Sequence, residues 1–248
     1  MEVEPLVIDA KGMHYTPLNK MIRAAVASGV KEIVLNNVLG QRFIGNGLRG
    51  DAKIIINGVP GGDLGMFMSG PECEIFGDAE HAPGNTMDKG SLIIHGSAGD
   101  AVAHSMRGGK VFVEGNIGYR GGIHMKEYED KRPILAVGGT SHAFLGEYMA
   151  GGLILVLGIG HEPAVRDRGI GSGIHGGEIV IRGDVNDKLL GVGATKVLFT
   201  EDDLERLAPV IEEFCERFDL DSSSFLDTNY SRIIPSSSRP FAGKYTWD

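Results

Sequence analysis

Gly58, Gly77, Gly96 and Gly115 stand nineteen residues apart, and Met68, Met87, Met106 and Met125 keep the same spacing ten residues further on. The register slips by five and resumes at Gly139 and Met149, again ten apart, with Gly158 nineteen beyond Gly139. A final unit closes on Gly183 after a six-residue insertion. Other columns keep the count. Gly61, Gly99 and Gly118 fall three past the reference glycine, Gly65, Gly84, Gly122 and Gly146 seven past it, and Gly90, Gly109 and Gly152 thirteen past it. A fixed period of this kind is an internal repeat, and it constrains the architecture before any local assignment. Glycine supplies 38 of the 248 residues, about twice its usual share, while ten prolines are ordinary. The excess is therefore geometric, and the chain is neither collagen-like nor Pro-rich.

Four and two residues before each reference glycine stand Ile54 and Ile56, Cys73 and Ile75, Leu92 and Ile94, Val111 and Val113. The series continues with Leu135 and Val137, Ile154 and Val156, and Ile179 and Ile181. Apolar, mostly β-branched residues at spacing two predict a short strand with a buried face. The glycine that follows each pair suits a corner of unusual backbone geometry. A propeller blade needs about 40 residues, and a leucine-rich repeat carries a different pattern. Nineteen extended residues at ~3.3 Å each make a perimeter of roughly 60 Å, enough for about three short sides around a filled core. The expected fold class is therefore all-β. It is a parallel β-helix, right-handed by the general rule for parallel crossovers, with nineteen-residue coils whose apolar pairs and Met column form inward ladders. With an irregular first unit (Ile33, Leu35, Asn37, Leu48), about eight coils are expected.

The flanks read differently. Thr16 and Pro17 predict an N-cap and first helical position, Leu18 to Ser28 the helix, and Gly29 its stop. Thr200 predicts a cap for the acids Glu201, Asp202 and Asp203, and Pro209 is expected to split that stretch into Glu201–Leu207 and Pro209–Phe218. The Ser- and Pro-rich tail from Asp221 to Asp248 is expected to lie extended over the body. The organisation is thus an N-terminal segment with a capping helix (1–31), the β-helix (32–199), and a C-terminal helix and tail (200–248). A solenoid exposes an unpaired edge at each end, so these short helices are expected to cover the ends.

A net charge of −9 argues against nucleic acid or an anionic membrane as partner, and no apolar run approaches the ~20 residues of a membrane span. The acidic start MEVEPLVIDAKG has no signal-peptide core, and two lone cysteines, Cys73 and Cys215, make neither a disulfide framework nor a zinc site. A reducing, cytoplasmic setting is expected.

Several motifs invite chemistry. Gly45-x-Gly47-x-x-Gly50 and Gly171-x-Gly173-x-x-Gly176 match the dinucleotide fingerprint, but strands follow them where the fingerprint needs a helix N-terminus, so both read as coil corners. The G-x-S-x-G elbow is absent. The nearest approach, Gly139-Thr140-Ser141-His142-Ala143, offers Ser141 and His142 to a free-standing ester hydrolase but lacks the strand–turn–helix that reaction requires. His142 and His161 share a repeat position and are expected to be able to stack, whereas His81, His104, His124 and His175 fall in other columns. No His or Cys spacing of a metal site is present. Cys73 and the column Met68, Met87, Met106, Met125 and Met149 read as buried core. No catalytic, cofactor-binding or metal residue is assigned. The remaining features are two insertions, Lys126–Pro133 and Glu162–Asp167, and the tail around Arg232, Ile233, Ile234, Arg239 and Pro240, all expected to dock partner chains.

The repeated I-x-G and G-x-x-M-x-G-G patterns in IIHGSAGDAVAHSMRGG and ILAVGGTSHAFLGEYMAGG resemble the GXGXG domain. That domain is the C-terminal β-helix of the glutamate synthase large subunit, and it also forms a subunit of formylmethanofuran dehydrogenase. The resemblance spans roughly Lys31 to Thr200. The segment IDAKGMHYTPLNKMIRAAVASGVKEIVLNNVLGQRFIGNGLRG and the closing helix and tail are similar to the stand-alone third-domain proteins of split, archaeal-type glutamate synthases. The resemblance implies a scaffold in a multi-subunit enzyme that makes glutamate from glutamine and 2-oxoglutarate in ammonia assimilation. The glutaminase nucleophile, the FMN and the iron–sulfur cluster would reside on partner chains, with none in this chain. The rival readings are a structural subunit of another oxidoreductase, such as formylmethanofuran dehydrogenase, and the Ser141/His142 hydrolase. Self-association remains open.

Overall fold

Every apolar pair that precedes a repeat glycine lies in a strand of one sheet. A computed structural model describes residues 5–237. In chain order the elements are β1 (Leu6–Asp9), α1 (Tyr15–Ala27), β2 (Glu32–Leu39), β3 (Lys53–Val59), β4 (Ser69–Phe76), β5 (Lys89–Ile94) and β6 (Lys110–Val113). There follow β7 (Ile134–Val137), β8 (Ala150–Val156), β9 (Gly176–Arg182), β10 (Ala194–Val197), α2 (Glu201–Arg217), α3 (Ser223–Leu226) and β11 (Tyr230–Pro235). The strands β1 to β9 stack in sequence order and in parallel, so the chain is a parallel β-solenoid. It closes about six full turns, from β3 to β9. The expected eight counts units, the irregular first one at β2 included, whereas a turn runs from one strand to the next, so the seven strands from β3 to β9 close six.

The predicted ladder is present in register: Ile56, Ile75, Ile94 and Val113 are Cα partners, and Val137, Val156 and Ile181 extend the row. Beside it run Ile54, Cys73, Leu92, Val111, Leu135, Ile154 and Ile179. All these side chains and the five column methionines are fully buried in one core. Each such side chain contributes roughly 2 kcal/mol of apolar burial.

Between strands the chain turns through a left-handed backbone. Asp63, Gly65 and Phe67 have φ of 62°, 67° and 56°, and one coil on Ala82, Gly84 and Thr86 have 59°, 75° and 52°. Their amides alternate in direction. Asp63 N donates to His81 O of the next coil (3.0 Å), Gly65 N to Ile44 O of the preceding one (2.8 Å), and Phe67 N to Asn85 O of the next (3.0 Å). The corner backbone is thus satisfied without forming a strand. Gly84 shows why the middle position favours glycine: a Cβ there would lie 2.7 Å from Val111 Cγ2 of the inner ladder.

α1 covers the N-terminal end of the core with Leu18, Ile22 and Ala25, as expected of a lid. Its start is earlier than Thr16. His14 is the N-cap, its Nδ1 accepting from Thr16 N at 3.2 Å, and Pro17 falls in the first turn, where no intrahelical donor is needed.

The other end corrects two expectations. Thr200 and Asp203 do form a capping box, but α2 runs unbroken through Pro209. One lost backbone bond is outweighed by the burial of Leu207, Ile211 and Phe214. Nor does α2 cover an end. It crosses the strands on the outer face of the sheet, packing on Ile93, Phe112, Ala136, Leu155 and Val180 to make a second core. The end is closed by the tail itself, because β11 inserts antiparallel between β9 and β10.

Candidate functional site

The hydrolase constellation is taken apart by the coil geometry. Ser141 continues the inward ladder of bridged positions Ala79, Ala98 and Ile117, and is 3% exposed. Its Oγ has no hydrogen-bond partner among the described residues. His142, the next residue, points out, where Nδ1 meets Asp167 Oδ2 at 3.0 Å and the ring stacks on Tyr119 at 4.8 Å. Neighbours in an extended segment face opposite sides, so nucleophile and base cannot meet. The expected His142–His161 stack is not formed: His142 stacks on Tyr119, and His161 lines a cleft at the strand ends.

Both G-x-G-x-x-G matches sit on coil corners. Gly45 and Gly47 (φ 77° and 61°) and Gly171 and Gly173 (φ 66° and 69°) occupy the left-handed positions, and β3 and β9 follow where a phosphate site needs a helix. Among the described residues no group of three or more His, Cys, Asp or Glu side chains is arranged to hold a metal ion. His104 and His124 come within 6.2 Å, and burial, then the neighbouring His124, holds His104 below its ordinary value. Cys73 lies 3.8 Å from Met68 Sδ, and burial pushes its thiol up to about 12, which makes it an inert core residue.

A cleft of about 410 Å³ crosses the coils at the strand ends, lined by Asp78, Glu114, Ile159, His161 and Leu220 with His95 on its wall. His95 stacks on Phe76 (4.5 Å) with Phe218 edge-on (5.2 Å), and its Nε2 lies 3.2 Å from Glu74 Oε1. The cleft's own polar groups are largely consumed by coil-to-coil bonds. Asp78 accepts from Ser97 N (2.7 Å), Ser97 Oγ from Asn116 N (3.1 Å), and Asn116 from Thr140 N (2.9 Å).

The insertions are better exposed. Lys126–Pro133 forms a small hairpin in which Tyr128 and Lys131 exchange backbone bonds (3.2 and 3.0 Å). Lys131 is anchored on Asp88 at 2.7 Å, and Tyr128, 56% exposed, stands out beside the exposed Glu129 and Asp130. The second insertion is tied down, Thr140 Oγ1 donating to Ala164 O at 2.5 Å.

The tail is not a docking arm where it is described. Ile233 is fully buried in the main core, and Arg232 Nε donates to Glu178 Oε2 at 2.7 Å. The expected anchors Arg232, Ile233 and Ile234 are thus spent in β11, where inter-strand pairing and core burial favour them over solvent. Arg239 and Pro240 lie outside the described residues.

Glu178, itself buried, sits at the centre of a half-exposed arginine network that sequence reasoning missed. Arg132 (2.6 Å), Arg206 (2.8 Å) and Arg232 (2.7 Å) converge on its carboxylate, and Arg206 and Arg232 also reach Asp203 (2.6 and 3.3 Å). Burial alone would raise the Glu178 carboxyl; the three guanidiniums outweigh it and hold it down at about 2. The network locks hairpin, β9, α2 and β11 together. Further along α2, Glu213 pairs with Lys110 and Arg217 with Glu72.

The sequence profile described as the GXGXG motif matches residues 19–238. The chain belongs to the GXGXG motif family. An uncharacterized protein of Methanocaldococcus jannaschii is 54% identical to this GXGXG chain over 256 aligned positions, covering 99% of the chain and 98% of that protein. A ferredoxin-dependent glutamate synthase of Pyropia yezoensis is 26% identical over 175 positions. That match covers 65% of this chain and 11% of the larger protein. No described helix is long and apolar enough to cross a membrane.

For a GXGXG chain the outer-face network had one legible signal. β5 to β9 are apolar at outward as well as inward positions, the mark of a sheet covered on both faces. The convergence of Arg132, Arg206 and Arg232 on Glu178 had none, since the four come from distant segments.

Proposed function

We propose that this GXGXG chain is a non-catalytic scaffold subunit of a multi-subunit glutamate synthase, an oxidoreductase of ammonia assimilation in a reducing, cytoplasmic setting. The observation that carries the reading is the asymmetry of the match: most of this chain is similar to a small part of a glutamate synthase. The chain then corresponds to one piece of a larger catalyst, and separate chains supply the glutaminase nucleophile, the FMN and the iron–sulfur cluster. The separation of Ser141 from His142 favours this over the hydrolase. Partner chains dock on the exposed insertions, with Tyr128 as the principal anchor, since an exposed aromatic held on an anchored hairpin loses little freedom on binding.

The test is a pull-down from the native source with the tagged full chain. Partners with a flavin absorption band and glutaminase activity are expected to co-purify, and Tyr128→Ala is expected to weaken their retention ~10-fold or more with an unchanged melting temperature. Recovery of the chain free of any flavoprotein, or retention unaffected by the substitution, would refute the respective halves of the reading.

A further inference from the structure

Every coil corner but the first hands one amide back to the coil before it. Gly65 N donates to Ile44 O, Gly84 N to Leu64 O and Ala103 N to Pro83 O, each at 2.8 Å, and Gly122, Gly146 and Gly171 repeat the bond to the last corner. Gly45 heads this column. On either side of it Phe43 N and Gly47 N donate forward, to Gly62 O (3.1 Å) and Met66 O (2.7 Å), as their equivalents do one coil on. No coil precedes the first, and among the described residues the amide of the buried Gly45 finds no acceptor. What stands in the place of the missing coil is α1, and there it offers donors. Asn19 Nδ2 donates to Arg42 O (2.9 Å) and Arg23 Nη2 to Asn46 O (2.8 Å), which caps carbonyls of the corner and leaves its backward-pointing amide unpaired.

Along the seam between α1 and this corner lies a groove of about 230 Å³, walled by Tyr15 and Phe43 and bordered by Lys20 and Arg23. The two rings meet edge to face, with centroids 5.6 Å apart. The charge of the groove is uncompensated. The first turn of α1 holds no acid. Lys31 and Arg42 pair with Asp51 and Asp63, but Lys20 and Arg23 pair with no carboxylate among the described residues. In a chain of net charge −9, residues 10–50 carry Lys11, Lys20, Arg23, Lys31, Arg42 and Arg49 against Glu32 alone.

We propose that this groove binds a carboxylate carried on a small apolar body. One carboxylate oxygen takes the place of the missing coil's carbonyl and accepts from Gly45 N, a charge-assisted bond stronger than the one it replaces. The negative charge meets Lys20 and Arg23, and the apolar body lies against the rings of Tyr15 and Phe43. No simpler ligand answers all three features: a neutral carbonyl leaves the cations unpaired, and an inorganic anion leaves the rings bare. A free metabolite can bring this chemistry, and so can an acidic side chain next to an apolar one on a partner chain.

The test follows the backbone amides of the isotope-labelled full chain by NMR. The chain is titrated with sodium benzoate, with a capped phenylalanine–glutamate dipeptide, and with sodium chloride at matched ionic strength. Both organic probes are expected to move the Gly45 amide proton downfield and to saturate, and chloride is not. Lys20 makes no hydrogen bond or ion pair among the described residues, so Lys20→Met is expected to leave the melting temperature unchanged while weakening both probes ~3- to 5-fold, the scale of an exposed ion pair. Lys20→Arg is expected to restore the affinity. Tighter binding of benzoate assigns the site to a free small molecule, and tighter binding of the dipeptide to a partner chain. A Gly45 amide that responds to neither organic probe overturns the proposal. So does an equal response to chloride, the mark of an adventitious ion only, or an affinity indifferent to Lys20→Met.

Discussion

Replacing Glu178 by Gln keeps the shape of the side chain and removes the charge on which three arginines converge. The residue is only 6% exposed, and its carboxyl is held at about 2 against an ordinary 4.5. That depression corresponds to ~3 kcal/mol of stability. Because the folded-state value is the lower one, the contribution is fully present above pH ~4.5 and is lost as pH falls toward 2, with ~2 kcal/mol gone by pH 3. Breaking a buried ion pair typically costs 3–5 kcal/mol. Here the arginine side chains are 27–48% exposed and regain water, which keeps the loss at the lower end. Glu178→Gln is therefore expected to cost ~3 kcal/mol at pH 7 and, for a chain of this size, to lower the melting temperature by about 6–12 °C. Urea unfolding of parent and variant at pH 7 and pH 3 checks the sign as well as the size. The difference between them should shrink to ~1 kcal/mol at pH 3. A difference below ~1 kcal/mol at pH 7, or one equal at both pH values, would show that the arginines do not depend on this carboxylate.

Gly58→Ala puts a methyl 2.1 Å from Val38 O at a φ of 129°, so a loss of about 4 kcal/mol or more is expected, against about 1 kcal/mol for Gly12→Ala, where no atom lies within 4 Å. Similar melting temperatures for the two variants would contradict the coil contact. Ser141→Ala removes a buried hydroxyl without a partner and is expected to raise stability by ~1 kcal/mol while leaving any esterase activity of the preparation unchanged; loss of such activity with this substitution alone would restore the hydrolase. Pro209→Ala returns a backbone donor to the exposed side of α2 and should raise unfolding stability by ~1 kcal/mol or more, so a fall in the urea midpoint would count against the unbroken helix as drawn.

What was legible followed from the period. Once Ile56, Ile75, Ile94 and Val113 are placed nineteen apart, stacking is the arrangement that buries them all, and the register of the parallel strands follows. The corners were legible for the same reason, since the glycines recur where the backbone turns left-handed. Elements used once escaped. The place of α2 on the outer face depends on Phe112 and Phe214 meeting across a hundred residues, and one apolar helix face does not say which of several surfaces it covers. The tail misled because Arg232 and Ile233 alternate as interface anchors do, and also as a strand with one buried face does. Pro209 misled because propensity alone predicts a break, and tertiary packing overrides it. The candidate docking surface was legible only as an interruption of the repeat. An insertion announces that it is not needed for the coil, but the exposure of Tyr128 and the anchoring of Lys131 on Asp88 belong to the folded chain.

The reversed strand β11 has a consequence for how the molecule comes into being. Coils of a solenoid contact mainly their neighbours and can stack as they leave the ribosome, at ~5–20 residues per second. The seal cannot. β9 waits for Tyr230–Pro235, and the apolar outer face of β5 to β9 waits for α2, both made after the last parallel strand. Throughout that interval the nascent chain carries a sticky edge and a bare hydrophobic face together, and only the final segments to be synthesised remove both. A premature stop between residues 183 and 200 would thus release not a shorter version of the protein but its most aggregation-prone form.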